Sequence, residues 1–149
     1  MYKHILIATD GSELADKGIK AGVALAVALQ ARVTLVTVSE PWVNAVAGDA
    51  TAMTLSSELR EDYLEASAAE AARILAGPEA RARAAGLAVQ SVYVPERQPA
   101  EAILETAAER SAELIVMASH GRSGLRKLLL GSQTQAVVTR GSLPVLVVR

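Results

Sequence analysis

The sequence predicts a single-domain, Rossmann-like α/β fold: a doubly wound sheet of five parallel strands in the order 3-2-1-4-5, with helices on both faces. Three observations carry that expectation. Apolar or β-branched runs alternate with helical-period segments along all 149 residues, in the order β-α-β-α-β-α-β-α-β, and this alternation calls for a parallel sheet with right-handed crossovers. The runs Ile5-Leu6-Ile7-Ala8 and Leu114-Ile115-Val116-Met117-Ala118 have no polar face, as expected of strands covered on both sides. The chain ends on a further apolar run, Val145-Leu146-Val147-Val148, and no second domain fits.

Each element has its own justification. Tyr2–Thr9 is the first strand. Ser12 is a good N-cap for a helix from Glu13, because its hydroxyl can accept from a free amide of the first turn. Ala15, Gly18, Ile19, Gly22, Val23, Ala26 and Leu29 then recur at helical spacing, to about Gln30. Gly18 and Gly22 share one face at roughly 1 kcal/mol each relative to alanine, so close approach of that face to the sheet is expected. Arg32–Ser39 is rich in β-branched residues and forms the second strand. Residues 40–56 have no period and read either as a lid or as a variable surface loop. Ser57–Ala85 is alanine-rich and helical by propensity, with Tyr63, Ala66, Ala69 or Glu70, and Ile74 inward. Proline lacks an amide and clashes with the preceding turn, so a kink or break is expected at Gly77-Pro78. Leu87–Val94 alternates like a strand near a sheet edge. Pro95–Pro99 is a turn, and Ala100–Arg110 a helix with Ile103, Leu104 and Ala107 inward. Glu113–Ala118 is the fourth strand, Gln133–Arg140 the last helix behind a Ser132 N-cap, and Gly141-Ser142-Leu143-Pro144 ends it.

Composition narrows the function. Half the chain is apolar and the formal net charge is −1, so nothing electrostatic argues for nucleic acid or an acidic membrane. The absence of cysteine excludes a disulfide framework, a thiol nucleophile and a cysteine zinc site. The N-terminus enters a strand without a signal-peptide pattern, and no apolar run is long enough to span a bilayer, so a cytoplasmic location is expected. Aromatics are too scarce to stack single-stranded nucleic acid.

The chemistry concentrates in 114–137: an apolar strand, the loop Ser119-His120-Gly121-Arg122-Ser123-Gly124, an amphipathic segment Leu125–Leu130, then Gly131-Ser132 opening a helix. Free amides at a helix start, glycines that let the backbone approach a ligand, and the hydroxyls of Ser132 and Thr134 together make an anion site. In doubly wound sheets ligands bind beyond the carboxyl ends of strands where the order reverses. The first and fourth strands are the neighbours at such a switch. Their ends, Thr9-Asp10-Gly11 and Ala118-Ser119-His120-Gly121, would meet at one crevice, with Val38-Ser39 as its outer wall.

These residues resemble the universal stress protein family, ATP-binding type, over the whole chain, 1–149. Members open with a strand and a D-G-S turn, here Asp10-Gly11-Ser12. They close with a signature of G, two residues, G, nine residues, then G and S or T, followed by a P-V-L-V-V strand. Here Gly121, the nine residues Arg122–Leu130, Gly131-Ser132 and Pro144–Val148 match, while Ala118 stands in place of the first glycine. The resemblance implies a regulatory, stress-response module that binds ATP, with Mg²⁺ arriving on the nucleotide. Gly121, Arg122, Gly131, Ser132 and Gln133 would hold the phosphates. Asp10 and the backbone near Thr9 and Val38 would hold adenosine, and Met117 and Ala118 would line the floor. A homodimer through Val145–Val148 is implied as well, since an apolar edge strand seeks a partner.

Several of these residues carry a second reading. Asp10 also serves as a cap of the first helix, and Arg122, Arg126 and Lys127 as a solvated face. The Ala118 methyl would crowd a nucleotide unless it points away from the crevice. His120 orients the loop unless a partner makes it an acid-base group, and His4 is structural. A slow ATP hydrolase or nucleotidyl transferase is the enzymatic alternative; the H-x-G-H pair of related transferases is missing, although His120-Gly121 is present. A dimeric interaction module without nucleotide is the third.

Overall fold

Alternation within β1 (His4–Ala8) explains why it lacks a polar residue at its centre. Ile5 and Ile7 enter one apolar layer with Ile19, Val23, Leu35, Leu75 and Val116, while Leu6 and Ala8 enter the opposite layer with Val36, Ile103, Ile115, Met117 and Val137. The strand is buried on both faces, and all five of its residues are buried. The computed structural model describes residues 1–49, 57–121 and 130–149.

β2 (Arg32–Val38), β3 (Val89–Val94), β4 (Leu114–Ala118) and β5 (Val145–Val148) complete a parallel sheet in the order β3-β2-β1-β4-β5. The expected fold and strand order are those observed. α1 (Glu13–Leu29) and α3 (Ser57–Ala84) cover one face; α4 (Pro99–Glu109) and α5 (Ser132–Arg140) cover the other. A single turn, α2 (Trp42–Ala45), follows β2.

Ser12 caps α1 as expected, its Oγ accepting from the Ala15 amide at 3.1 Å. The glycine face of α1 does approach the sheet. A Cβ on Gly22 would stand 2.6 Å from Ile7 Cδ1, while one on Gly18 would make an ordinary 3.5 Å contact with the Ala118 nitrogen.

For α3 the expected break and the expected inner face are corrected. The helix runs without a break through Pro78. Proline costs ~3 kcal/mol in a helix interior, but Leu75 and Ala82 on either side of it are buried against the sheet, and that packing holds the helix together. The buried face is Ala71, Leu75 and Ala82, not Ala66 and Ala69, which are exposed; Tyr63, Glu70 and Ile74 lie half-buried beside it. Of the 40–56 connection, residues 50–56 lie outside the described residues, as do 122–129 and with them most of the amphipathic segment Leu125–Leu130.

Candidate functional site

Where β1 ends, the chain turns on three short contacts. The Thr9 amide closes the last rung of the β1–β2 ladder on the Val36 carbonyl at 2.9 Å. The Gly11 amide then bends back to Thr9 Oγ1 at 3.2 Å, with Gly11 at φ 77, and Asp10 Oδ1 accepts from the Ser12 amide at 3.0 Å. Asp10 therefore braces the turn, and the capping of α1 falls to Ser12. The Val38 amide and carbonyl point the same way as those of Val36, toward β1. The β1–β2 register stops at Ala8 and Val36, so no strand rung meets them.

β4 ends beside this turn. A Cβ on Gly121 would fall 2.6 Å from Asp10 Oδ2, so the loop backbone passes against the Asp10 carboxylate and only glycine fits there without displacing it. The first and fourth strand ends thus meet at one crevice.

α5 is pinned to the same place. The Gly131 amide donates to the Ser119 carbonyl at 2.7 Å, and Thr134 Oγ1 donates to the Ala118 carbonyl at 2.9 Å. A Cβ on Gly131 would press on the Ser119 oxygen at 3.2 Å and His120 Cα at 3.3 Å. Gly131, not Ser132, is the N-cap, and as a glycine it has no side chain with which to cap the helix. Ser132 is its first residue and is exposed. The opening amides of α5, which have no partner within the helix, lie at the positive end of its dipole.

These contacts match the signature spacing, and the universal stress protein family model matches residues 1–149. The chain belongs to the universal stress protein family. It is 35% identical, over 152 aligned positions and the full length of both chains, to a universal stress protein of Thermus aquaticus. It is 30% identical over the full length of both to universal stress protein YxiE of Bacillus subtilis. Among solved structures it resembles MJ0577 of Methanocaldococcus jannaschii, with TM-score 0.79, 30% identity, and coverage of 99% of this chain and 96% of that one. It also resembles a universal stress protein solved in complex with cAMP, with TM-score 0.68, 25% identity, and coverage of 99% and 97%.

For this universal stress protein the remaining expected site residues fall as follows. Ala118 is an ordinary strand residue paired with Val148; by pleat alternation its methyl shares the α1 face with Leu114 and Val116. Met117 buries its side chain in the α4–α5 layer. Thr134 is buried and its hydroxyl donates its proton to Ala118. Gln133 turns to α4, where its Oε1 accepts from the Ala100 amide at 2.9 Å and caps that helix. Arg122, Arg126 and Lys127 lie outside the described residues. His120 Nδ1 lies 3.0 Å from Ser119 Oγ, a contact that orients the ring.

Glu96 carries no mark in the sequence. It stands at φ 50 beside the Val38 wall, and its amide reaches Ser39 Oγ at 3.1 Å. Glutamate has no strong preference for that conformation, so no residue pattern signals it. No described helix is long and apolar enough to cross a membrane. Among the described residues no cluster of three or more His, Cys, Asp or Glu forms a metal site.

Proposed function

We propose that this universal stress protein is a cytoplasmic, ATP-binding regulatory module whose nucleotide lies across the ends of β1 and β4. One observation carries the reading: α5 begins on a glycine N-cap against the end of β4, which brings the positive end of its dipole, a favoured place for an anion, to the crevice. Gly121, Gly131 and Ser132 border the phosphates in this reading, with Arg122 as their cation. Gln133 contributes its main-chain amide, because its side-chain oxygen is engaged with Ala100. Gly121 and Gly131 support the reading by letting the loop backbone lie against Asp10 and against Ser119 and His120, where a Cβ would be crowded.

Adenine suits the other end of the crevice. The Val38 carbonyl can accept from an exocyclic amine and its amide can donate to a ring nitrogen. Guanine offers its carbonyl and ring N–H in the reverse order, so a preference for adenine is expected. The cAMP bound by a relative at 25% identity supports an adenine nucleotide of some kind; the triphosphate is the further step. The Ala118 methyl, on the α1 face, leaves the crevice open. Mg²⁺ would be held mainly by phosphate oxygens, with Asp10 the nearby carboxylate, in keeping with its need for few protein ligands.

Purified protein denatured and examined by mass spectrometry is expected to release adenine nucleotide, and Mg-ATP is expected to bind on titration. No binding at about millimolar ATP, an affinity near −4 kcal/mol, would reject the reading. A homodimer belongs to the same proposal: β5 is an edge strand with Leu146 38% exposed, and α5 presents Val138 beside it at 44%. Sedimentation showing only monomer would count against the dimer and leave the nucleotide site standing.

A further inference from the structure

Beyond Val36, β2 has lost β1 as a neighbour, yet Val38 must hold still if its amide and carbonyl are to select a base. Support comes from the other side. The Ser39 amide donates to the Val94 carbonyl at 3.1 Å, and the Arg97 amide to the Ser39 carbonyl at 3.0 Å. Ser39 Oγ lies 2.8 Å from the Tyr93 hydroxyl and accepts from the Glu96 amide. The Glu96 carboxylate then reaches two further segments at once. Oε1 accepts from the Trp42 amide at 3.3 Å, and Oε2 pairs with Arg60 in the first turn of α3. Tyr63, one turn further on, donates to the Glu40 carbonyl at 2.6 Å and packs its ring 5.4 Å from that of Trp42 at 54°.

Glu96 touches β2's exit, the α2 turn and α3 at once. It does so from a left-handed conformation that non-glycine residues adopt only when their surroundings impose it. Its side chain is 23% exposed, so the Arg60 pair alone is a weak tether; the junction holds because several bonds converge on one half-buried carboxylate.

We propose that Glu96 is a positioning residue for the adenine side of the crevice: by tying the Ser39–Trp42 exit to β3 and α3, it fixes where the Val38 amide and carbonyl meet a purine edge. This rests on the nucleotide reading above. It assigns base selectivity to a carboxylate that does not touch the ligand, and leaves phosphate binding to the β4–α5 junction.

Trp42 is the sole tryptophan, so its fluorescence reports the clamp in the absence of nucleotide. Wild type, Glu96→Ala and Glu96→Gln are compared by acrylamide quenching of Trp42 and by titration with Mg-ATP and Mg-GTP. Wild type is expected to prefer ATP. Glu96→Ala is expected to expose Trp42 to quencher and to weaken ATP about tenfold but GTP by less than about threefold. Glu96→Gln keeps an acceptor for the Trp42 amide and is expected to recover most of the ATP affinity. Should Glu96→Ala fail to fold, Arg60→Met, on an exposed helix turn, is expected to give the same selective loss at about threefold. Equal ATP affinity in variant and wild type overturns the clamp alone. Equal losses of ATP and GTP, or a wild type indifferent to the base, show a merely structural role and overturn it too. A wild type that binds neither nucleotide overturns the site reading and the clamp with it.

Discussion

The two ends of the sheet are built from the same strands and differ in what their polar groups do. At the amino ends, polar groups are consumed by the fold. The Lys3 amide donates to the Glu113 carboxylate at 2.7 Å, the Arg32 amide to the Lys3 carbonyl at 3.0 Å and the Glu113 amide to the His4 carbonyl at 2.9 Å. His4 is 4% exposed, with Nε2 2.8 Å from Thr34 Oγ1. At the carboxyl ends, α5 starts on a glycine N-cap, Val38 has no β1 rung, and a Cβ on either Gly121 or Gly131 would be crowded. Buried polar groups are normally paired. The amino end is organised for the chain itself, and the proposed nucleotide site puts the carboxyl end to a different use.

The sharpest way to break this contrast is at Gly121. Any side chain there must displace the Asp10 carboxylate, since the Cβ alone would come within 2.6 Å of Oδ2. Gly121 is exposed, so the fold has little stake in it. Gly121→Val is expected to weaken Mg-ATP about a hundredfold or more while moving the melting temperature by no more than about 2 °C. Calorimetry and thermal unfolding of the same sample read both. A large loss of melting temperature would place Gly121 among the structural residues.

How much of this was legible beforehand follows the same division. Central strands are readable because burial on two faces leaves no polar residue, as in Ile5–Ala8 and Leu114–Ala118. The meeting of the first and fourth strand ends was legible because the alternation of elements makes those strands neighbours. α3 was less so: in an alanine-rich helix, Ala66, Ala69 and Ala71 are equivalent as letters, and only the sheet beneath decides that Ala71 is buried. The continuity through Pro78 depends on the burial of Leu75 and Ala82, a tertiary gain that no local preference records. The capping of α4 by Gln133 and the clamp at Glu96 join residues 33 and 54 positions apart, and nothing local announces either.

The next effect in size tests the converse claim, that a glycine can be tight for the fold alone. Gly22 packs on Ile7 beneath the crevice, and its Cβ would lie 2.6 Å from Ile7 Cδ1 and 3.0 Å from Cγ1. Gly22→Ala gains roughly 1 kcal/mol of helix propensity and loses about 1–3 kcal/mol to overpacking. Net destabilisation of about 1 kcal/mol, with ATP affinity unchanged, is expected from urea unfolding and titration. A stabilised variant would mean that Ile7 rotates aside freely and that close approach is not what selects the glycine.

The smallest effect probes His4 Nδ1 at the amino end, which is buried and, among the described residues, meets no partner in good hydrogen-bond geometry, although the Ser111 and Arg110 backbone lies near the ring. Burial first, and then the nearby Arg32 charge, hold the imidazole below its ordinary value of 6.5; the Ser111 and Arg110 backbone and Glu113 oppose this less strongly. The unfolded chain therefore takes up a proton at this residue before the folded one does, and stability falls wherever the unfolded state binds more protons. His4 contributes its full stability above pH 6.5, loses it as pH falls through the folded value, and makes no further change below that. Urea midpoints of wild type and His4→Gln, compared between about pH 8 and about pH 5, are expected to converge toward acid, since the glutamine does not titrate. Parallel profiles would mean that the imidazole is as easily protonated inside the fold as outside it. The amino end would then hold a group the fold does not consume, and the contrast between the two ends would fail at that residue.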